Sequence, residues 1–156
     1  MKAASLSDIK SELETRSDKE LVSYCVRLSE FRKENKELLT YVLFEENFPE
    51  IFIDNFKQEM NQLFSEINRS NIYYVRKSIR KILRYTNKYV RFISSAHLAC
   101  EMLIHFCNSI IIFDIPVRKS AQLMNIYDGQ LKKIDSIIST LHPDLQYDLK
   151  KQLKKI

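Results

Sequence analysis

The sequence predicts an all-α protein, a compact antiparallel bundle of seven to eight helices in a single domain over residues 1–156. One glycine and three prolines are too few for the frequent turns of an all-β sandwich or barrel. Apolar residues recur every three or four positions along most of the chain, which is the period of amphipathic helices. A short superhelix of helical hairpins is the alternative, because residues 17–48 have the form of one such hairpin.

The first two helices are predicted from their N-terminal caps. Ser7 is expected to cap a short helix that ends near Glu14. Ser17 is followed three residues later by Glu20, which is the capping-box pattern. We therefore expect the second helix to begin at this box.

The middle of the chain predicts three further helices, separated by polar residues or proline. Polar residues 33–36 form a joint, after which a third helix runs to about Phe48. Pro49 suits the first turn of a fourth helix, because its fixed φ and missing N–H are tolerated there. Ser70 or Asn71 is expected to cap the fifth helix.

The last part of the chain predicts a central apolar helix and two more amphipathic ones. Residues 96–113 are apolar around most of the helix circumference, which indicates a central position. Asp114 is expected to cap a seventh helix that has Pro116 in its first turn and ends near Leu141. A short eighth helix begins near Pro143.

Cysteine usage and the lack of long apolar runs point to an intracellular protein. Cys25, Cys100 and Cys107 lie in apolar helical patterns without a C-x-x-C pair, and we interpret them as reduced core residues. No apolar run approaches the ~20 residues that span a bilayer, and the N-terminus lacks the apolar core of a secretory signal. The sequence therefore predicts a cytoplasmic protein without membrane contact.

Charge is distributed unevenly along the chain. Residues 1–66 contain nine Lys and Arg against fourteen Asp and Glu, a net charge of −5. Residues 67–156 contain sixteen against six, a net charge of +10, and no acidic residue occurs between Glu66 and Glu101. Opposite charges on separate surfaces favour self-association or docking to another protein.

The predicted fifth helix collects its cations on one side. At 100° per residue they cover an arc of roughly 140°, opposite the apolar residues. These residues, called the basic arc below, are Arg76, Lys77, Arg80, Lys81, Arg84, Lys88 and Arg91. Tyr74, Tyr85 and Phe92 lie at its edge. Cations beside aromatic rings suit a sugar–phosphate backbone with exposed bases.

Other interpretations of the basic arc stay open. The cations can be a solvated face, or can pair with Glu46, Glu50 and Asp54 of the preceding helix. They can also bind an acidic protein. Four C-terminal lysines either extend the arc or only complement a helix dipole. They are Lys150, Lys151, Lys154 and Lys155.

The predicted sixth helix carries polar residues along one line of an otherwise apolar surface. These residues, called the polar stripe below, are His97, Glu101, His105 and Asn108. His97 and His105 are about 12 Å apart along the axis and cannot share a metal, and no second ligand segment is present. We therefore expect no metal and no cofactor, and interpret the stripe as a solvent edge or as a partner for arginines of the fifth helix.

Arg91 is followed, after five residues, by His97 at a predicted helix start. The pair is similar to the Arg-x(4–6)-His element of HEPN-type helical ribonucleases, which implies that it would position RNA for attack by a 2′-hydroxyl. Phe92 stands where that family often has a polar residue. An HEPN-like ribonuclease is therefore a third hypothesis, and no motif of another enzyme class or of a small-molecule site is present.

Three segments, KELLTYVLF (36–44), YTNKYVRF (85–92) and HPDLQYD (142–148), resemble an uncharacterised family of small all-helical bacterial proteins. The resemblance implies a bacterial cytoplasmic protein and supplies no catalytic or binding residue. Our first hypothesis is a non-enzymatic protein-interaction or scaffold module that can self-associate. The alternative is a nucleic-acid-binding protein that uses helix 72–92.

Overall fold

A computed structural model describes residues 2–153 and confirms the all-α prediction. The described residues contain eight α-helices and no strand. The helices are α1 (Leu6–Leu13), α2 (Asp18–Phe31), α3 (Lys33–Thr40), α4 (Pro49–Ser65), α5 (Ile72–Val90), α6 (Ala96–Ile112), α7 (Ala121–Ile138) and α8 (Pro143–Gln152). A π-helical turn, Tyr41–Glu45, follows α3, and a 3₁₀ turn, Val117–Lys119, precedes α7.

The chain divides into two compact units. Unit 1 is Met1–Glu45 and holds α1 to α3 with the π-helical turn. Unit 2 is Glu46–Ile156 and holds α4 to α8. The assignment of all residues to a single domain stays a prediction.

In unit 1, α1 and α2 begin with side-chain caps as predicted, but the residue that caps α1 is not the predicted one. The Ser17–Glu20 capping box at the start of α2 is confirmed. Ser5 rather than Ser7 caps α1, because it forms a capping box with Asp8. The joint expected at residues 33–36 is a single extended residue, Arg32 (φ −145°, ψ 141°), after which α3 begins at once and packs against α2.

Unit 2 is a helical bundle with α6 at its centre. α6 packs against α4, α5, α7 and α8, and nine of its residues are buried. The expected caps are present, with Pro49 in the first turn of α4 and Asn71 capping α5. The core is aromatic and aliphatic, and its largest fully buried side chains include Met60, Phe64, Ile79, Phe106, Leu123 and Ile134. The predicted central position of α6 is therefore confirmed.

The start of the seventh helix differs from the prediction. Asp114 does not cap it, because its φ of 46° lies in the left-handed region. Pro116 disfavours helical geometry in the residue before it, and only a 3₁₀ turn forms before Ser120, the N-cap of α7. The helix ends at Ile138, and His142 accepts a hydrogen bond from the Asp144 N–H at 3.4 Å to cap α8.

None of the described helices combines the length and apolarity needed to cross a bilayer.

Candidate functional site

α5 separates basic from apolar residues sharply along its length. Asn71 caps the helix by accepting a hydrogen bond from the Tyr73 N–H at 2.9 Å. The core side is aliphatic apart from Thr86, whose hydroxyl donates to the Ile82 carbonyl at 2.9 Å. The buried hydroxyl is thereby satisfied, and the core side of α5 needs no other polar partner.

The basic arc is open to solvent over most of its length. Its exposed members are Lys77, Arg80, Lys81, Arg84 and Arg91. Arg76 and Lys88 are half-buried. Among described residues, no ion pair joins Arg76 or any exposed member to a carboxylate, and Glu46, Glu50 and Asp54 make no ion pair. The pairing considered from the sequence does not form.

α7 lies beside α5 and supplies neutral partners to the arc. The Oε1 of Gln122 accepts hydrogen bonds from Arg76 Nη1 and Arg80 Nη2, both at 2.9 Å. Lys133 Nζ donates to Asn87 Oδ1 at 3.0 Å. These amides fix the two helices side by side and orient two guanidinium groups without neutralising their charge.

The carboxylates of α7 lie away from this face. Asp128 and Asp135 are exposed, but by helical geometry they lie about 120° to 140° around α7 from Gln122. The surface formed by the basic arc, Gln122 and Lys133, called the basic face below, is therefore free of acidic side chains from α5 and α7.

Tyr85 lies beside Lys88, whose Nζ is 5.9 Å from the ring centroid, but its ring and hydroxyl are also held by α4. It stacks on Phe56 with 5.7 Å between centroids, and its hydroxyl donates a hydrogen bond to Glu59. Burial, together with the bond to Glu59, raises the pKa of Tyr85 above its ordinary value, so the hydroxyl stays protonated. The sequence pattern predicts Tyr85 at the edge of the arc, but in the structure its ring and hydroxyl contact Phe56 and Glu59 of α4.

The exposed aromatic residues lie at the N-terminal end of α5 instead. Tyr74 is 46% exposed and Tyr73 is 57% exposed, and the two rings meet edge to face with 5.5 Å between centroids. Tyr73 was missed by the sequence analysis, although its helical angle falls within that of the basic arc. The exposed aromatic rings of the basic face therefore lie at one end of α5 and not along its whole length.

The polar stripe of α6 faces α4, not the arginines of α5. Glu101 forms an ion pair with Lys57, and His105 Nε2 lies 2.9 Å from Asn61 Oδ1. Burial, and then the nearby Lys57 charge, lower the pKa of His105, so the imidazole is neutral at pH 7. No sequence signal identifies Lys57 and Asn61 as partners, because each lies 44 residues from the side chain that it contacts.

Of the other two members of the stripe, Asn108 makes a contact to another helix and His97 does not make a polar one to a described residue. Asn108 Nδ2 donates to the Gln152 carbonyl at 2.8 Å and so contacts α8. His97 is half-buried and makes no hydrogen bond or ion pair to a described residue. No group of three or more His, Cys, Asp or Glu able to hold a metal occurs among residues 2–153.

The Arg91–His97 pair gains no supporting contact. Arg91 is exposed at the C-cap of α5, and His97 lies in the first turn of α6. In the described part of the chain, no hydrogen bond or ion pair involves either side chain. The HEPN-like interpretation stays a prediction that rests on spacing alone.

Unit 1 exposes an apolar surface that the sequence analysis did not single out. Among its described residues only Tyr41 is buried. Twelve large apolar side chains are exposed: Leu6, Ile9, Leu13, Val22, Tyr24, Val26, Leu28, Phe31, Leu38, Val42, Leu43 and Phe44. The interpretation of Cys25 as a core residue is wrong, because the thiol side chain is exposed. Cys100 and Cys107 are buried, as expected.

The C-terminal lysines lie at the end of α8. Lys150 and Lys151 are exposed in its last turn, where positive charge complements the helix dipole. Lys154 and Lys155 lie outside the described residues.

No protein-family model, curated protein or solved structure matches this chain. The bacterial family resemblance and the cytoplasmic location it implies stay predictions.

Proposed function

We propose that this chain is a non-enzymatic binding module whose unit 2 binds the sugar–phosphate backbone of a double-stranded nucleic acid. The observation that carries this proposal is the lack of any described carboxylate paired with the exposed cations of the basic arc. A solvated helix face ordinarily mixes signs to gain i, i+4 pairs. α5 has no acidic residue to form such pairs, and its positive charges lie together on one side of the helix.

The uncompensated cations favour a polyanion as the ligand. Each Lys or Arg that meets a phosphate displaces condensed counterions into solution, and this release drives association. The cations run from Arg76 to Arg91, about 22 Å along the helix axis. That length matches about six phosphates of one strand at ~3.4 Å of duplex axis each.

The position of the aromatic residues favours a duplex over a single strand. Single-strand binding surfaces interleave cations with rings on which successive bases stack. Here Tyr85 is occupied by Phe56 and Glu59, and the exposed Tyr73 and Tyr74 stand only at one end. Contacts along α5 are therefore with phosphate and sugar, which fix position without reading sequence.

The experiment is fluorescence anisotropy with a labelled 20-base-pair duplex as DNA, the same duplex as RNA, and a single strand of equal length. Neutralising about five phosphates should raise the dissociation constant about 10²- to 10³-fold between about 50 and 200 mM salt. The DNA and RNA arms establish which duplex is preferred. Tighter binding of the single strand, or no binding at 50 mM salt, contradicts the proposal.

A matched pair of charge reversals tests the location of the surface. Lys81 and Arg84 are exposed and make no hydrogen bond or ion pair to a described residue, so Lys81→Glu with Arg84→Glu should weaken duplex binding at least about 30-fold at low salt. Lys150→Glu with Lys151→Glu changes the net charge equally on α8 and should leave most of the affinity. Equal losses in both variants, or tighter binding to vesicles of anionic phospholipid than to duplex, would show that α5 has no such role.

A further inference from the structure

The N-terminal end of α5 carries two exposed aromatic rings that the duplex contacts along the helix do not use. At 100° per residue, Tyr73 lies at the centre of the basic arc and Tyr74 lies about 20° beyond its edge. Their edge-to-face contact, with 5.5 Å between centroids, restricts both rings while 57% of Tyr73 stays exposed. A flat ligand that stacks on Tyr73 therefore meets a ring that has already lost part of its freedom.

α5 and α7 run in the same direction along the basic face. Arg76 donates to Gln122, and Lys133 donates to Asn87. Asn87 lies eleven residues after Arg76, and Lys133 lies eleven residues after Gln122. The two helices are therefore parallel, and their N-terminal ends lie side by side.

The aromatic end of the basic face is also positively charged. Tyr73 lies three residues before Arg76, and Lys119 lies three residues before Gln122, so both lie at the same end of the bonded helix pair. Arg118 and Lys119 are exposed in the 3₁₀ turn, and neither forms an ion pair with a described carboxylate. Two further cations thus lie at the end where the tyrosines are.

The nearby acidic charge is offset. Asp114 is the acidic residue closest to Lys119 in the sequence, five positions before it. Arg69 Nη2 donates to the Phe113 carbonyl at 2.5 Å, which brings a cation to the same loop. The charges of Arg118 and Lys119 are therefore left to attract phosphate.

The tyrosines lie just beyond the row of phosphate contacts proposed for α5. Tyr73 is about 4.5 Å before Arg76 along the helix axis, and successive phosphates of one strand are ~3.4 Å apart along the duplex axis. A nucleotide at Tyr73 is therefore one to two steps outside the segment that the basic arc contacts. Lys77 is exposed one helical turn from Tyr73 and is the cation nearest to such a nucleotide on α5.

A tyrosine ring can stack only on a base whose face is uncovered. Within a duplex, neighbouring base pairs cover both faces of each base, whereas the unpaired bases of ends and loops can stack on aromatic side chains. Aromatic rings beside cations are typical of surfaces that bind single strands. The basic face therefore combines a long phosphate-binding part with a short part suited to an unpaired base.

We propose that the basic face binds the end of a duplex that carries a single-stranded extension, with the first unpaired base stacked on Tyr73 and its phosphate beside Lys77. This inference rests on the duplex binding proposed for unit 2 and names the class of duplex that is preferred. Arg118 and Lys119 attract the phosphates of the extension that follow.

Fluorescence anisotropy with the purified full chain tests the preference. Three labelled DNAs share one 20-base-pair duplex, which is blunt, has a four-nucleotide unpaired extension, or has a four-unit abasic extension. The abasic extension adds the same phosphates without bases. The extension with bases, on the 5′ or the 3′ strand, should bind at least about 5-fold tighter than its abasic counterpart, because one base stacks on a ring. Equal affinities for both polarities overturn this inference.

The same titrations separate this inference from the proposed function. If the blunt duplex binds with the expected salt dependence but bases in the extension add nothing, duplex binding stands and end preference fails. If none of the three DNAs binds at 50 mM salt, the proposed function fails as well.

Substitution of the tyrosine tests where the base stacks. Tyr73→Ala should reduce the preference for bases over the abasic extension to less than about 2-fold, while Tyr73→Phe should keep it, because stacking needs the ring and not the hydroxyl. Tyr147→Ala is the matched control, since Tyr147 on α8 is 69% exposed, and it should also keep the preference. Unchanged affinity for the blunt duplex and unchanged helical circular dichroism show that Tyr73→Ala leaves the fold intact. A preference that survives Tyr73→Ala, or that Tyr147→Ala also removes, refutes the position of the base.

A fluorescent base reports the stacking directly. 2-Aminopurine at the first unpaired position should lose fluorescence when the wild-type chain binds, because stacking on an aromatic ring quenches it. The loss should be absent with Tyr73→Ala at a protein concentration that saturates the duplex. Equal quenching by the wild-type chain and Tyr73→Ala contradicts the stacking on Tyr73.

Discussion

Unit 1 and unit 2 are both wholly helical in their described residues, yet they bury their apolar residues to very different extents. Unit 2 encloses an aromatic and aliphatic core around α6, in which Met60, Phe64 and Phe106 have no exposed surface. In unit 1 only Tyr41 is buried among the described residues. The amphipathic pattern therefore predicts helices equally well in both units, but it does not establish what covers their apolar sides.

Truncating one aromatic residue in each unit gives the largest expected contrast. Phe106 is fully buried, 5.9 Å from Phe64 between ring centroids, and Phe106→Ala should lower the free energy of unfolding by about 3–5 kcal/mol. Phe44 is 71% exposed, and Phe44→Ala should cost less than about 0.5 kcal/mol. Urea unfolding followed by circular dichroism measures both. Similar costs at the two positions would mean that the units do not differ in core formation.

The ion pairs of the two units give a smaller contrast. Lys57 and Glu101 join α4 to α6 and are 28% and 21% exposed, so Lys57→Ala leaves a half-buried carboxylate unpaired and should cost about 1–2 kcal/mol. Lys33 and Glu37 lie 3.9 Å apart within α3, with the lysine 88% exposed, and Lys33→Ala should cost at most about 0.5 kcal/mol. The same unfolding experiment compares them. A larger cost at Lys33 would place the stronger polar contact in unit 1.

The smallest effect is a pH dependence that belongs to unit 2 alone. His105 is packed with Lys57, Glu101 and Asn61, and burial and Lys57 hold its pKa below the ordinary value. As the pH falls through about 6.5, the unfolded chain binds a proton that the folded chain excludes, and the free energy of unfolding decreases.

Replacing the histidine isolates that contribution. His105→Gln keeps a side chain able to donate to Asn61 and should flatten the dependence between pH 7.5 and 5.5. The wild-type minus variant difference at each pH is the quantity to measure, because it removes the contributions that the two proteins share. A difference that stays constant with pH would assign the dependence to another group.

Part of the candidate site could be predicted because it lies on one helix. The cations of the basic arc and the aliphatic side of α5 follow from 100° per residue, and the structure orients them as that arithmetic requires. Tyr85 and the polar stripe could not be assigned in the same way. Their partners Glu59, Lys57 and Asn61 lie 26 to 44 residues away, and side-chain spacing on one helix contains no information about its neighbour.

Local chemistry in the sequence determined the helical class, the Ser17–Glu20 and Asn71 caps, the first-turn Pro49 and the concentration of positive charge on α5. These features depend on contacts between residues within about four positions of each other, and such contacts form whatever the tertiary arrangement of the helices. Only the tertiary structure decided that Glu46, Glu50 and Asp54 form no ion pair with a described residue, that Tyr85 packs against α4, and that Cys25 is exposed. The physical reason is that ion pairing and burial depend on which helices become neighbours. An amphipathic pattern shows that one side of a helix is apolar, but it contains no information about which surface covers that side.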